Sequence, residues 1–567
     1  MYALCQDIWD HLNQTPLKPL PDHLLSVQKY FATSSVQDFF TKNASTRTID
    51  LKAVSDADAA YLASLGISQP HLVRNLKETL NDRHLDPLGF QLNAVRDKSV
   101  SAFCPFGGKR VVSNQSFLAN INVIFYRFES EQVFYVATAG IGSGFRKSAL
   151  YFPENDLVIT AGDSWGFQQA DLLELKARMV CGAQACYDYL SDPDQKSRKS
   201  AVCLGFYHFA HHLWNELSGL HRLYRKHLLS SVDRFLVLRE PLGPIEQIFP
   251  EIPADRIERK DSTSDLFYEI LTQGYFAVRV GDDYLARDLA SRIAKISAAN
   301  CSSGTLEKVK ETSSKYRPLL WVGIRVGNRA WADQVHGLSN VIASLHEEFP
   351  ALGVVFDGFS LPADRSAQLS DEQGYSTILA QENEIVSSIV GNLQRRQVQV
   401  GIFNIIGLSI FDANVWAHAI DVYVSPHGSL QHKVGWFTNK HGIVHTNQTL
   451  LQKPAKYIWE AVENGIPPRY IDSASVTDIH SESGERIFYN EISDASEIGA
   501  GTQAANEKVR QNAEFTNYSV QWKALHSDLV DLIRSPKVKG RMAAFILAHR
   551  VRRRVRLTAR TLVNVLK

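Results

Sequence analysis

The stretch Val422-Tyr423-Val424-Ser425-Pro426-His427-Gly428-Ser429-Leu430 indicates the fold class of this chain of 567 residues. It begins with a short apolar run, passes through a Pro and a Gly, and continues into 430–437, which has the pattern of a helix. A short apolar run that ends at turn residues is typical of a buried strand. The stretch therefore predicts a strand, a tight turn and a helix, which is the repeating unit of α/β proteins.

The same rhythm of strand and helix patterns extends from about residue 200 to about residue 450, and a polar segment at 297–315 divides it into two sets. Apolar runs that predict strands are at 201–205, 235–238 and 275–280 in the first set and at 319–324, 353–356, 398–406, 420–424 and 443–444 in the second. Such alternation predicts parallel sheets with crossover helices. We therefore expect an α/β fold of two tandem Rossmann-like units, the architecture called GT-B, with a ligand in the cleft between the units.

The regions that flank these two sets have other patterns. Before residue 195, the alternating stretches 121–128 and 133–136 predict antiparallel strands within an α+β region. The patterns together predict four segments of the chain. These are an N-terminal α+β region at 1–195, a first Rossmann-like domain at 196–310, a second at 311–475, and a C-terminal helical segment with a basic amphipathic tail at 476–567.

The composition excludes several classes of protein. Apolar residues make up 44% and charged residues 21%, and 61 Lys and Arg balance 60 Asp and Glu, which excludes a disordered or globally nucleic-acid-binding chain. No apolar run reaches the roughly 18 residues that span a bilayer, and Asp7 and Asp10 stand where a signal peptide is basic. The six scattered cysteines predict free thiols. We therefore expect a cytoplasmic protein.

The turn His427-Gly428-Ser429 is the first candidate binding site. It falls at the carboxyl end of a predicted strand, where open α/β folds bind ligands, and just before a helix whose unpaired N–H groups attract phosphate. Gly428 permits close approach of a ligand, and the His427 imidazole is placed to donate a hydrogen bond to a diphosphate. The alternative interpretation is a simple turn with a histidine that is satisfied inside the protein.

Arg325, Arg329 and Asp357 follow two other predicted strands of the same set. They are expected at the same edge of the sheet, where guanidinium groups suit phosphate oxygens and a carboxylate accepts from a ribose hydroxyl. In the alternative interpretation the two arginines lie on the surface beside Gly327 and Asn328, and Asp357 caps a turn.

A run of histidines begins the first predicted helix after residue 200. At helical spacing, His208, His211, His212 and Glu216 share the polar face of that helix. Imidazole titrates near neutral pH, so one of the three histidines is a candidate general base, and Glu216 is placed to orient the His212 ring. Two alternatives remain open, namely a solvated or internally satisfied face and a zinc site formed by His208, His212 and Glu216.

Two motifs resemble glycosyltransferase family sixty-one, whose members are GT-B-like inverting enzymes. His212-Leu213-Trp214-Asn215-Glu216 is similar to the family's histidine and glutamate four residues apart. Asp421-Val422-Tyr423-Val424-Ser425-Pro426-His427-Gly428-Ser429-Leu430-Gln431-His432 is similar to its C-terminal His-Gly segment. The sequence departs from the family at Ser429-Leu430-Gln431, where a second glycine, a threonine and an asparagine are missing, and at Ser218-Gly219, where a proline is usual. The likeness covers about residues 200–450.

The resemblance implies a glycosyltransferase that moves a sugar from a nucleotide-sugar donor to a glycan or lipid-linked acceptor. Together with the residue patterns above, it predicts donor binding by Arg325, Arg329, Asp357, His427, Gly428 and Ser429, and catalysis by His208, His211 or His212 with Glu216. No cofactor is required, because basic groups and helix ends hold a diphosphate, and a divalent metal is the less favoured alternative. Two other classes remain, a non-catalytic glycan-binding or assembly component on the same fold and a metal-dependent hydrolase.

The tail at 541–567 holds eight Lys and Arg and no acid, interleaved with apolar residues. A basic amphipathic helix of this kind suits an anionic membrane surface, which predicts peripheral binding to the inner face of the membrane. Nucleic acid is the other partner that such a tail could bind, and we do not expect it. A solvated terminal helix is the remaining alternative.

Overall fold

A computed structural model describes residues 46–80, 89–140, 146–162, 167–192, 197–364, 375–480, 515–540 and 542. The chain divides into two compact units. The first comprises Met1–Glu240 and Pro244–Tyr284, and the second comprises Pro241–Gly243 and Leu285–Lys567. Helices alternate with parallel sheets in both units, which confirms the predicted α/β class. The division into four segments and the GT-B arrangement remain predictions.

The described part of the first unit contains a mixed sheet, a parallel sheet and the antiparallel pair of β2 with β3. Its strands are β1 (Arg47–Asp50), β2 (Val100–Phe103), β3 (Arg110–Ser113), β4 (Ser116–Asn120), β5 (Val123–Glu129), β6 (Val133–Ala139), β7 (Arg146–Phe152), β8 (Leu157–Thr160), β9 (Ser200–Leu204), β10 (Arg234–Val237), β11 (Ile257–Arg259) and β12 (Phe276–Val278). The order β1-β8-β7-β6-β5-β4 forms the mixed sheet, in which only β1 and β8 pair in parallel. The antiparallel pairing of β5 with β6 confirms the strands predicted there.

The parallel sheet of the first unit has the order β11-β10-β9-β12. The helices of this unit are Asp56–Ser64, Gln69–Leu80, Gly89–Asp97, Gln169–Cys181, Ala183–Ser191, Phe209–His211, Ser218–Arg225, Ile245–Ile248 and Thr263–Thr272. A π-helical turn, His212–Leu217, continues Phe209–His211 into Ser218–Arg225, so the predicted histidine helix contains a bulge. Such π-turns redirect side chains and are frequent at functional sites.

Hydrogen bonds join the two sheets of the first unit at Ala277 on the outer strand β12. The Ser116 hydroxyl accepts from Ala277 N–H at 2.8 Å, and the Tyr126 hydroxyl donates to Ala277 O at 3.2 Å. The Tyr126 ring also packs on Phe276 at a centroid distance of 5.6 Å. Two side chains of the mixed sheet therefore pair the backbone N–H and C=O groups of Ala277. Without them, these groups at the edge of the parallel sheet would lack hydrogen-bond partners.

The second unit is built on a parallel sheet of six strands. Its strands are β13 (Leu319–Gly323), β14 (Gly353–Asp357), β15 (Gly401–Asn404), β16 (Val422–Pro426), β17 (His441–His445) and β18 (Arg469–Tyr470), with a separate antiparallel pair, β19 (Val476–Asp478) and β20 (Tyr518–Val520). The order is β15-β14-β13-β16-β17-β18. Counted from the first strand of the sheet, this is the 3-2-1-4-5-6 order of doubly wound nucleotide-binding folds.

Both faces of this sheet are covered by helices. The helices of the second unit are Arg287–Asn300, Thr305–Lys315, Gln334–Glu348, Tyr375–Arg395, Ile410–Ala419, Ser429–Gly435, Gln448–Gln452, Tyr457–Glu460 and Trp522–Arg534. Along β13, Leu320 and Val322 pack into one apolar cluster, and Leu319 and Trp321 pack into the other. Strands buried on both faces read as continuous apolar runs, which is why the sequence pattern located them.

The predicted basic tail at 541–567 lies outside the described residues except for Met542, so its binding to a membrane remains a prediction. Within the described ranges, no helix has both the length and the apolar character needed to cross a bilayer. The cysteines whose side chains are described, Cys104, Cys186, Cys203 and Cys301, are free thiols, as expected.

The bond between Ser116 and Ala277 provides a test of the sheet junction. Replacement of Ser116 by Ala leaves the buried Ala277 N–H without an acceptor, which should lower the free energy of unfolding by about 1–3 kcal/mol. The exposed Ser64→Ala variant is the control and should change it by less than about 0.5 kcal/mol. Urea denaturation followed by circular dichroism measures both, and equal effects would show that the junction contributes nothing.

Candidate functional site

The strand order of the second unit places its candidate site at β13 and β16. These two strands are neighbours, and the chain leaves them toward opposite sides, to β14 on one side and to β17 on the other. Such a reversal opens a gap at the carboxyl ends of the strands, where doubly wound folds bind ligands. Arg325 and Arg329 lie in the loop after β13, and His427, Gly428 and Ser429 lie in the turn after β16.

The two loops approach each other at Arg325 and Gly428. A side-chain carbon at Gly428 would lie 3.4 Å from Nη1 of Arg325, and the φ angle of Gly428 is +122°, a conformation that residues with a Cβ rarely adopt. The Arg325 side chain is held by Asn328, because its Nε and Nη2 donate to the Asn328 backbone and side-chain oxygens at 2.7 Å and 2.8 Å. The sequence predicts that a ligand comes close to the backbone at Gly428. In this structure the Arg325 guanidinium group lies close to it.

His427 is buried with an unsatisfied ring. Its side chain belongs to a residue that is only 3% exposed, and neither ring nitrogen has a hydrogen-bond partner. Burial, followed by the charges of Arg329, Arg325 and His445, lowers the pKa of His427 to about 3. The ring is therefore neutral at physiological pH, with one N–H to donate. A buried donor surrounded by cations is suited to an anion.

Arg329 is the third part of this cluster. It has a φ of +51°, unusual for a residue with a side chain, and its backbone N–H donates to Phe515 O at 3.1 Å. Its guanidinium lies over the Phe515 ring at 5.1 Å, and its buried Nε has no hydrogen-bond partner. Arg325, Arg329 and His427 therefore form one basic group, which we call the arginine–histidine cluster.

The helix that begins at Ser429 is shorter than the sequence pattern suggests. It covers Ser429–Gly435 with Gly428 at the N-cap, and Ser429 is half-buried. Seven residues align fewer peptide dipoles than a long helix does, so the guanidinium groups supply most of the positive charge here. The expectation that the helix end itself holds the phosphate receives no support from this geometry.

Lys433 of the same helix forms a buried ion pair with Asp357. Its Nζ donates to Asp357 Oδ1 and Oδ2 at 2.9 Å and 3.1 Å, and also to Gly358 O and the Ser360 hydroxyl at 2.6 Å and 2.8 Å. Asp357 is 0% exposed. Lys433 contacts both oxygens of this buried carboxylate, and the ribose contact of Asp357 stays a prediction. The pair fixes the turn after β16 to the end of β14.

Glu382 lies beside this ion pair and was not predicted from the sequence. It is 4% exposed and its carboxyl accepts from Phe359 N–H at 2.7 Å. Burial raises the pKa of Glu382 to about 8 and that of Asp357 to about 6, in each case against the attraction of Lys433. Two buried carboxyl groups beside one ammonium thus compete for a single positive charge, which favours the protonated form of Glu382.

In the first unit, Glu216 is a fully buried carboxylate with several donors. Its Oε1 accepts from Gly205 N–H at 2.7 Å and from Arg279, and its Oε2 accepts from Phe206 N–H at 3.1 Å and His212 Nδ1 at 2.9 Å. Burial alone would raise the pKa of Glu216, but Arg279 and then His212 hold it below its usual range. The His212 ring thus lies against the Glu216 carboxylate, and His212 is also 0% exposed.

Hydrogen bonds distinguish the three predicted histidines. Asn215 Nδ2 donates to Asp282 O at 3.1 Å, so its Oδ1 faces His211 Nδ1 at 3.0 Å and that nitrogen carries the proton. The lone pair of His211 is then on Nε2, as a general base requires. In His208, by contrast, Nδ1 accepts from Ala210 N–H at 3.2 Å, which places the proton on Nε2.

The zinc alternative for His208, His212 and Glu216 does not fit these contacts. In the described ranges, no group of three His, Cys, Asp or Glu side chains is arranged to hold a metal ion. Both Glu216 oxygens already accept hydrogen bonds, from Arg279, His212 and two backbone N–H groups. The metal-dependent hydrolase built on these three residues is therefore set aside.

No protein-family model matches the chain, and no curated protein matches it. Among solved structures, it is similar to a family 9 glycosyl transferase from Veillonella parvula, at 10% identity and a TM-score of 0.24 over 44% of this chain and 80% of that one. It is similar to the Glycosylation Associate Protein (Gap123) complex from Streptococcus agalactiae, at 10% identity and a TM-score of 0.22 over 94% and 95%. A TarM mutant from S. aureus in complex with Fondaparinux, alpha-GlcNAc-glycerol and UDP is 7% identical, with a TM-score of 0.17 over 76% and 84%. Glycosyltransferases are thus among the similar structures, and at such TM-scores the likeness carries no argument about the site.

The buried imidazoles predict how stability depends on pH. Burial lowers the pKa of His427 and of His445 to about 3, whereas the unfolded chain protonates its histidines near 6.5. Below pH 6.5 only the unfolded state takes up these protons, so the free energy of unfolding should fall as the pH falls toward 3. Thermal denaturation between pH 7.5 and 4.5 should show a shallower fall for His427→Gln than for the wild type. The exposed His336→Gln variant should keep the wild-type slope, and an equally steep fall in His427→Gln would contradict the assignment.

The Glu216 network predicts a large stability effect in the first unit. Glu216→Gln leaves Arg279 as an uncompensated buried charge, which should lower the free energy of unfolding by about 3–5 kcal/mol. The double variant Glu216→Gln/Arg279→Met should recover part of this loss, because no charge is then buried. Chemical denaturation measures both variants, with the exposed Glu154→Gln as control. A double variant less stable than the single one would contradict this role of Glu216.

Proposed function

We propose that the protein is a glycosyltransferase and that the arginine–histidine cluster binds the diphosphate of a nucleotide-sugar donor. The observation that carries the proposal is the unsatisfied His427 ring. An imidazole that is 3% exposed, has no hydrogen-bond partner on either nitrogen and lies in the field of two arginines lowers the stability of the folded protein. A bound anion removes that cost, since it accepts from the ring and neutralises the field.

The position of the cluster supports a nucleotide rather than another anion. Arg325, Arg329 and His427 lie at the carboxyl ends of the neighbouring strands β13 and β16, where the strand order reverses. Doubly wound sheets bind the phosphates of nucleotides at this point. Guanidinium groups also match pairs of phosphate oxygens in shape and charge.

The proposed reaction is a direct displacement at the anomeric carbon of the donor sugar. An acceptor hydroxyl forms the new C–O bond, the bond to the diphosphate oxygen breaks, and the nucleoside diphosphate leaves with the electron pair. Arg325, Arg329 and the His427 N–H stabilise the charge that develops on the leaving oxygen, as preorganised donors do in other enzymes. One displacement of this kind inverts the sugar configuration.

We propose His211 as the base that takes the acceptor proton. Its Nδ1–H is held by Asn215 at 3.0 Å, so Nε2 carries the lone pair, and the residue is only half-buried. His208 presents a protonated Nε2 and His212 is fully buried. Glu216 then has a structural role, because it holds the histidine helix in position and does not contact the reacting atoms.

The donor site is tested by nucleotide binding. Hydrogen bonds to charged groups contribute about 1.5–3 kcal/mol each, so Arg325→Ala and His427→Ala should each weaken nucleoside diphosphate binding roughly ten- to hundredfold. Isothermal titration calorimetry with uridine and guanosine diphosphates measures this. Arg395→Ala and His336→Ala, which change exposed residues of the same unit, are the matched controls.

The outcomes also separate the enzyme from a non-catalytic glycan-binding component. The enzyme requires a nucleoside diphosphate to bind the wild type and His211→Gln to lower turnover while leaving nucleotide affinity within about twofold. If no nucleotide binds the wild type while a glycan does, the proposal is wrong and the glycan-binding component replaces it.

A further inference from the structure

Three buried polar atoms close to the arginine–histidine cluster have no hydrogen-bond partner. Thr446 and Thr516 are 0% exposed and Asn517 is 1% exposed, and neither hydroxyl nor the Asn517 Nδ2 is paired. Buried polar groups are nearly always paired, because an unpaired one has lost its hydrogen bonds to water without replacing them. None of the three residues was predicted from the sequence. Their concentration in one place therefore points to a ligand.

Hydrogen bonds hold the segment 515–517 against the carboxyl edge of the six-stranded sheet. On one side, Ala330 N–H donates to Asn517 Oδ1 at 2.9 Å, directly after the Arg329 N–H that donates to Phe515 O at 3.1 Å. On the other side, Asn447 Nδ2 donates to Thr516 O at 3.0 Å. The segment is thus fixed between the loop after β13 and the end of β17.

Thr446 is adjacent to His427 in the register of the sheet. Pro426 of β16 pairs with His445 of β17, and His427 N–H donates to His445 O at 3.0 Å. The next position along both strands places Thr446 beside His427. Side chains at matched positions of parallel strands lie on the same face, so continuation of this register places the Thr446 side chain on the face of the imidazole.

The unpaired atoms are predominantly donors. Asn517 Oδ1 is occupied by Ala330, so the Nδ2 amide is the group left over, and the buried Nε of Arg329 is also a donor without a partner. The two hydroxyls are able to donate as well. A set of donors with an arginine among them matches the oxygens of a phosphoryl group.

We propose that Thr446, Thr516, Asn517 and Arg329 bind a second phosphoryl group, adjacent to the one bound by Arg325 and His427, so that the site selects a diphosphate over a single phosphate. The inference rests on the proposed function, because it extends the same anion site. It adds Thr446, Thr516 and Asn517, which lie more than 120 positions beyond Arg325 in the chain, and assigns them to phosphate selectivity.

Calorimetric titration of the full-length protein with inorganic pyrophosphate and with orthophosphate tests the proposal. The wild type should bind pyrophosphate at least about tenfold more tightly, since it uses the additional hydrogen bonds. Thr446→Val and Thr516→Val should each reduce this preference severalfold and leave orthophosphate affinity within about twofold. Asn517→Asp keeps the acceptor for Ala330 but opposes the anion, and should abolish the preference.

A stability measurement distinguishes binding residues from structural ones. Removal of an unpaired buried hydroxyl should not lower the thermal denaturation midpoint of Thr446→Val or Thr516→Val. Thr138→Val is the matched control, because the buried Thr138 hydroxyl donates to Ile124 O at 3.2 Å. That variant should lower the midpoint and leave the anion preference unchanged.

Different experimental results would overturn this inference and the proposed function. If pyrophosphate and orthophosphate bind the wild type equally, or if the three variants keep the wild-type preference, the inference is wrong and the anion site of Arg325 and His427 stands. If Thr446→Val and Thr516→Val lower the denaturation midpoint as Thr138→Val does, the hydroxyls are structural and the inference is also wrong. If neither anion binds, both proposals are overturned.

Discussion

The burial of a neutral imidazole beside two guanidinium groups is the constraint on which the functional account depends. His427 lies where the six-stranded sheet reverses its strand order, and Arg325 and Arg329 reach the same place from the neighbouring loop. Folding leaves the ring without a hydrogen-bond partner, which costs free energy that a bound anion returns. This unpaired donor in a positive field is the observation on which the proposed anion site rests.

The buried ion pair of Lys433 and Asp357 keeps that cluster in place. It connects the helix after Gly428 to the end of β14, so the turn that carries His427 is tied across β13 to another strand. Such pairs contribute little net stability, because desolvation offsets the attraction, but breaking one is expensive. Its role here is to fix the orientation of the turn, while Glu216 and Arg279 fix the histidine helix of the first unit in a similar way.

The sequence pattern predicts the strands and turns around the candidate site but not the side-chain contacts within it. Strands such as β13 and β16 are buried on both faces, so their continuous apolar runs and the turn residues after them predict these elements. The contact of Arg325 with the turn at Gly428 is visible only in the structure. The ion pair of Asp357 with Lys433 could not be predicted, because a carboxylate after a strand does not reveal which cation it meets. The segment 515–517 gave no local signal, since its position depends on hydrogen bonds to residues far away in the chain.

The central claim is tested most directly by the ionisation of His427 itself. Histidine-selective isotope labelling, with the ring resonances assigned through His427→Gln, follows its pKa by nuclear magnetic resonance with and without a nucleoside diphosphate. In the free protein the pKa should be about 3, and a bound diphosphate should raise it by at least about one unit, because the anion offsets the arginines. A His427 pKa near that of an exposed histidine, or one that does not respond to the nucleotide, would contradict the account.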